Sequence, residues 1–236
     1  MAGNDSFTKL LLHCDGADAS TTFTDSSASG HTVTPSGNAQ VDTAQSKFGG
    51  ASLLLDGTGD YLTVADSTDW NFGTGAFTYD FWLRQNSGGT GVWIDSGDQN
   101  GVAFYQEAGL IRAYIKGNFF ELGAKTFTAG QWYHAAFVRS GSSVYTFFDG
   151  VQHGSTGSNS SDITGPTMVR IGTGVGENQV PATRYWNGWM DEVRISNSAR
   201  WTSDFTPPSA EYSADGQPAV KRMAGVKFAA RNQGVW

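Results

Sequence analysis

Five glutamates, Glu107, Glu121, Glu177, Glu192 and Glu211, are the residues of this 236-residue chain best suited to acid–base work. Glycoside cleavage needs one carboxyl to protonate the leaving oxygen and a second to attack or to activate water. No two of the five lie within five residues of each other, so no single strand presents two of them side by side. A pair of aspartates drawn from different strands stays open. His13, His31, His134 and His153 have no metalloenzyme spacing, no G-x-S-x-G occurs, and the glycine-rich stretches lack a following helix that could hold phosphate. His134 lies in an apolar alternation and reads as a hydrogen-bonded core residue. Serines are so frequent that a Ser-His-Asp arrangement carries no weight. Catalysis is not expected.

The elements that must position any such groups are strands. The 22 acids divide into 17 Asp and 5 Glu, and Lys and Arg together number only 15, beside 31 glycines. Glu, Lys and Arg favour helices whereas Asp, Gly, Ser and Thr favour turns and caps, so the balance predicts an all-β fold. An aromatic content of 13% excludes disorder. Period-two or continuously apolar runs mark eleven strands: Leu10 to Cys14, Ala51 to Leu55, Tyr61 to Val64, Phe77 to Arg84, Val92 to Ile94, Val102 to Gln106, Leu110 to Lys116, Gln131 to Arg139, Val144 to Phe148, Met168 to Ile171 and Trp186 to Ser196. Four Asp-Gly pairs supply turns, and Asp149-Gly150 fits a tight hairpin. Asn197 to Trp201 is expected to form one helical turn. Two packed antiparallel sheets follow.

The same reading limits partners. A net charge of −7 argues against nucleic acid, and no run of about 18 apolar residues offers a membrane span. The opening MAGNDSFTKLLLHCDG lacks the pattern of a signal peptide. Cys14, the one cysteine, is expected to be a buried, inert thiol.

A glycan site needs flat aromatic faces beside polar groups. Along Leu110 to Lys116, Ile111, Ala113 and Ile115 look inward, which turns Arg112 and Tyr114 outward. Trp93, Asp95 and Tyr105 follow the same outward logic on neighbouring strands, and these five are the candidate ligand-binding residues. Trp186 and Trp189 read as packing. Pro207-Pro208 closes the regular pattern, dividing the chain into an N-terminal arm (1–8), a domain (9–208) and an extension (209–236). Residues 211 to 236 hold four bases against two acids, a net of +2 that leaves −9 for the rest. The extension therefore either docks back on the domain or binds another chain or another copy, the reading favoured by its opposite charge, with Lys221, Arg222, Val226, Phe228 and Trp236 as the expected docking residues.

Four segments carry a family resemblance: FGGASLLLDGTGDYLTV (48–64), FTYDFWLR (77–84), GQWYHAAFVRSGSSVYTFFDG (130–150) and WNGWMDEVRISNSARWTSDFTPP (186–208). In that order they resemble the laminin-G-like, concanavalin A-like jelly rolls. The resemblance implies two curved antiparallel sheets with ligands on a concave face or at the rim. Hydrolases of this fold carry a Glu-x-Asp-x-(x)-Glu cluster, which this chain lacks. The resemblance also implies a structural Ca²⁺ held by Asp15, a carbonyl near Gly50, and Asp191, although Asp15 in an Asp-Gly turn and Asp191 on backbone amides is the simpler reading. The opening LLLHCDG and closing ARWTSDFTPP are similar to domains of bacteriophage tail and virion surface proteins. That similarity implies a non-catalytic virion component, assembled in the host cytoplasm, contacting other virion proteins and binding host glycan or receptor. A free carbohydrate-binding lectin and a glycan hydrolase with dispersed carboxylates are the alternatives.

Overall fold

The computed structural model describes residues 3–97, 99–176 and 180–213. The expected docking residues Lys221, Arg222, Val226, Phe228 and Trp236 lie outside them. In chain order the strands are β1 (Thr8–Leu12), β2 (Val33–Ser36), β3 (Gln40–Asp42), β4 (Ser52–Asp56), β5 (Tyr61–Ala65) and β6 (Phe77–Gln85). They continue with β7 (Gly91–Asp95), β8 (Val102–Glu107), β9 (Leu110–Ile115), β10 (Asn118–Ala124) and β11 (Trp132–Ser140). The last are β12 (Ser143–Phe148), β13 (Val151–Gln152), β14 (Gly157–Ser158), β15 (Met168–Ile171) and β16 (Asn187–Ser196). One 3₁₀ turn, Thr68–Trp70, is the only helical element among the described residues. Residues 197–201 are not helical, because Thr78 Oγ1 donates to the Ser198 carbonyl (2.7 Å) and accepts from the Arg200 amide (2.9 Å), which holds that backbone against β6.

Two antiparallel sheets form the sandwich. One runs β13-β12-β11-β6-β16-β4-β3, with β1 on β16 and β14 on β12; the other runs β10-β9-β8-β7-β15-β5-β2. Tight turns set the register of the second sheet. Ala108 (φ 50°) with Gly109 (φ 80°), and Lys116 (φ 38°) with Gly117 (φ 82°), take the positive φ pair that two-residue hairpins require. Asp149 (φ 51°) and Gly150 (φ 78°) do the same between β12 and β13, as the sequence predicts.

Between the sheets lies an aromatic core. Trp93 meets Phe104, Phe127, Phe148 and Trp186 edge-on, and Phe104 stacks on Phe137 at 5.3 Å between ring centres. Each such ring buries enough apolar surface that its truncation costs about 3–5 kcal/mol.

The outer face of the larger sheet is covered too, which accounts for strands that are apolar on both sides. Residues 199–205 lay Trp201 and Phe205 over Ala136, Val138 and Phe147. Beside them Asp80 on β6 and Arg194 on β16, both buried, face each other in a two-pronged ion pair, with Nε to Oδ1 at 3.0 Å and Nη2 to Oδ2 at 3.1 Å. Tyr212 donates its hydroxyl to the same Asp80 carboxylate, and the Arg194 guanidinium carbon lies over its ring at 3.7 Å from the centre. His134, fully buried, sits 3.4 Å from that hydroxyl, and Arg194 also reaches the Gly3 carbonyl (2.6 Å). Gly3, from the expected arm, and Tyr212, from the expected extension, thus both pack on the larger sheet.

Burial alone would raise the Asp80 pKa, but Arg194 and His134 outweigh it and hold the carboxyl below its usual range. This stabilisation is present above the unfolded-state carboxylate range and is lost as pH falls through the depressed folded value. Arg194→Met leaves the buried charge unmatched and should cost about 3–5 kcal/mol at pH 7. Its deficit relative to the parent should shrink on acidification from pH 7 to about pH 3, because the unmatched Asp80 of the variant takes up its proton at a higher pH than the ion-paired carboxyl of the parent does. Urea unfolding across that range measures both.

Candidate functional site

Two places gather polar side chains. The first is created by a bulge in β16. Opposite β6, Asp191 pairs with Trp82 and Arg194 with Asp80, so two residues, Glu192 and Val193, oppose one, and Glu192 takes a φ of 51°. The bulge turns Val193 into the core while Asp191, Glu192 and Arg194 all reach the outer side. Asp191 Oδ2 accepts the Lys47 (2.8 Å) and Phe48 (3.1 Å) amides. Its Oδ1 is buried without a hydrogen-bond partner. Glu192 receives the Tyr212 amide at 2.7 Å and lies 2.5 Å from His13 Nδ1.

Asp15 closes this corner from the other side of the 47–51 turn. Its carboxylate lies against Gly49, where a Cβ would fall 2.1 Å from Oδ1, and Gly49 itself has a φ of 62°. Gly50, at a φ of 102°, faces open space. Burial, with Glu192 and Asp15 nearby, pushes Asp191 up to about 8. Burial, with Glu211 nearby, pushes Asp15 up to about 6. The three residues implied as calcium ligands are therefore gathered around one turn. No group of three or more His, Cys, Asp or Glu among the described residues is arranged to hold a metal ion. Cys14 is buried and its thiol is pushed well above its usual range by that burial, with Asp191 adding to the effect.

The second place is the outer face of the smaller sheet. Register puts Tyr105, Arg112 and Glu121 in one row across β8, β9 and β10, and Ala103, Tyr114 and Phe119 in the next. The first row and Phe119, with Glu107, Phe120 and Arg184, line a cleft of about 370 Å³. Glu107 is ion-paired to both Arg112 and Arg184, and Arg112 reaches Glu121 at 3.2 Å. Arg184 lies over the Tyr105 ring at 6.0 Å.

Of the five ligand-binding residues expected from alternation, the structure places Arg112 in this cleft with its side chain 31% exposed. Tyr105 and Tyr114 share the outer face but are buried with Val92, Ala103 and Val180, so they support the cleft and do not form an open platform. Tyr114 donates its hydroxyl to the Gln99 carbonyl at 3.0 Å. Asp95 is buried, accepting the Gly97 (3.1 Å) and Val175 (2.9 Å) amides. Trp93 corrects the expectation outright, because it points into the core. The register shifts between Val92 and Ile94, so Val92 opposes Tyr105 and Ile94 opposes Phe104, and the extra residue breaks the alternation. Trp186 is a core residue as read, and Trp189 donates Nε1 to Asp42 at 2.6 Å.

The residues missed are Glu107, Glu121, Phe119, Phe120 and Arg184. Phe119 is 46% exposed and supplies the aromatic face that Trp93 does not. The signal was Lys116-Gly117, a hairpin turn that carries the alternation of β9 into Asn118–Ala124.

The family described as the concanavalin A-like lectin/glucanases superfamily, of laminin G type, matches residues 56–204, and the chain belongs to it. No curated protein matches the chain. Among solved structures, the binding domain of Paraclostridial Mosquitocidal Protein 1 is similar with a TM-score of 0.62 at 13% identity, over 81% of this chain and 49% of that one. The binding domain of botulinum neurotoxin DC in complex with rat synaptotagmin II gives 0.61 at 13% identity, over 82% and 48%. The same toxin's domain in complex with SialylT gives 0.58 at 12%, over 82% and 48%. The chain spans about half the length of these proteins, and at such identities the likeness is one of fold. They are toxin binding domains, so the expected virion setting draws no support from them.

Gly49 gives a direct probe of the first place. Gly49→Ala should lower stability by about 1–3 kcal/mol through overlap with the Asp15 carboxylate and an unfavourable φ. Adding Asp15→Ala should recover the steric part, and unfolding of the two single variants and the double variant measures it.

Proposed function

We propose that this chain is a non-catalytic binding module whose ligand face is the cleft across β8, β9 and β10. The observation that carries this reading is the salt-bridged array of Glu107, Arg112, Arg184 and Glu121 beside exposed Phe119, on strands held rigid by cross-strand pairing. Such an array offers fixed donors and acceptors next to an apolar surface, as saccharide or receptor recognition requires. Hydrolysis is less well supported. A glycosidase leaves its acid carboxyl free to meet the leaving oxygen, whereas Glu107 and Glu121 are both ion-paired to Arg112. The similar toxin binding domain forms complexes with rat synaptotagmin II and with SialylT, which fits a binding role for this fold. The finer setting, a tail, fibre or surface component of a phage particle attached through residues 209–236, rests on the sequence resemblance and on the opposite charge of that extension.

Arg112→Ala should abolish binding on a glycan array without shifting the melting temperature by more than a few degrees, since surface pairs contribute about 0–1 kcal/mol. Release of sugar from oligosaccharides, lost in Glu107→Gln, would overturn the non-catalytic reading.

We also propose that Asp15 and Asp191 hold a structural Ca²⁺ at the 47–51 turn. The buried, unpartnered Asp191 Oδ1 supports it. Only two carboxylates are in place, so backbone carbonyls and water would complete the six to eight oxygens that the ion takes. Ca²⁺ should raise the melting temperature of chelator-treated protein and leave Asp191→Asn unmoved; no shift in the parent would sink the idea.

A further inference from the structure

We infer that the cleft selects uncharged oligosaccharides over acidic ones, with Glu121 as the residue that sets this preference and Phe119 as the stacking surface. The inference rests on the binding reading above. It starts from a charge balance. The charged side chains among the described residues lining the cleft are Glu107, Arg112, Glu121 and Arg184, and their formal charges cancel. Both guanidiniums are ion-paired, Arg184 through Nη2 to Glu107 and Arg112 through both arms, one to Glu107 and the other to Glu121.

A sugar carboxylate is recognised by a guanidinium that can offer both its arms. To reach Arg112 it would have to displace Glu121 or Glu107, and would leave the displaced carboxylate unpaired beside the incoming one. The net charge of −7 on the chain adds to that repulsion. A hydroxyl is different, because it donates to a carboxylate oxygen and accepts from an N–H at once. It can therefore join an ion-paired array without breaking it. Next to the array, Phe119 is 46% exposed and is held edge-on by Tyr114 at 5.0 Å, which gives the C–H face of a sugar ring a fixed apolar partner.

The length of the ligand follows from β10, whose residues Phe119, Phe120 and Glu121 also border a second groove of about 530 Å³. That groove continues past Leu122 and Gly123 to residues 154–157, where Ser155 and Thr156 bring hydroxyls, and Glu121 is its only charged residue among those described. A chain of several sugar units can cross β10 over Phe119 from one groove into the other and meet no unpaired charge.

The test is titration calorimetry of the full chain with neutral gluco-, galacto- and manno-hexasaccharides, against sialyllactose and oligogalacturonate. Binding to a neutral hexasaccharide is expected, about tenfold weaker in Phe119→Ala, with no detectable heat from the acidic sugars. Glu121→Gln frees one arm of Arg112 and should gain measurable affinity for an acidic sugar. Both positions are exposed, so unchanged melting curves will show that the variants fold. Preference of the parent chain for the acidic sugars, weakened by Phe119→Ala, would overturn the selectivity while leaving the binding reading intact. Binding of neutral sugar unaffected by Phe119→Ala would overturn the placement of the site. Binding of neither class would overturn the glycan reading itself.

Discussion

The ion pair of Asp80 with Arg194 is the contact on which the outer layer of this protein depends. A carboxylate on the outer side of a sheet is usually bathed in water, but here Asp80 is fully buried under Tyr212, beside the patch that Trp201 and Phe205 cover, and a buried charge without a matched partner is not tolerated. Arg194 supplies that partner from the adjacent strand and uses its remaining arm on the Gly3 carbonyl, so one guanidinium, with the Tyr212 ring over it, ties Gly3 and Tyr212 to the middle of the sheet. The second covered face exists because this pair is complete.

The β16 bulge is equally consequential. Without it Glu192 would point into the core and Val193 outward; with it, three polar side chains, Asp191, Glu192 and Arg194, fall on one side. The same device in β7 acts in the opposite direction and draws Trp93 inside, where it becomes the hub of the aromatic core. Two extra residues thus decide where the carboxylates collect and what fills the interior.

These bulges also explain what was legible in the sequence. Composition and alternation were enough for the all-β class and for eleven strands, because a buried strand face leaves a pattern many residues long. Strands such as β3, β13 and β14 have two or three residues and leave none. β10 was missed although Phe119-Phe120 lies within it, since an edge strand in which Leu122 alone is buried keeps a weak alternation. Alternation correctly turned Arg112, Tyr105 and Tyr114 outward, yet it says nothing about the chain segment laid over them, and Val180 buries the two tyrosines. Arg184 was illegible for the same reason: it reaches the cleft from a loop whose path no local pattern records.

The Asn4 amide donates to the Ser213 carbonyl at 2.9 Å, and Gly3 lies close enough to Tyr212 that a methyl group there would clash with its backbone. The chain therefore enters and leaves the sandwich at neighbouring points. A polypeptide drawn taut through this domain would carry its tension across that short junction. The sheets, and the cleft on the smaller one, would hang beside the line of force like a pendant and stay unloaded.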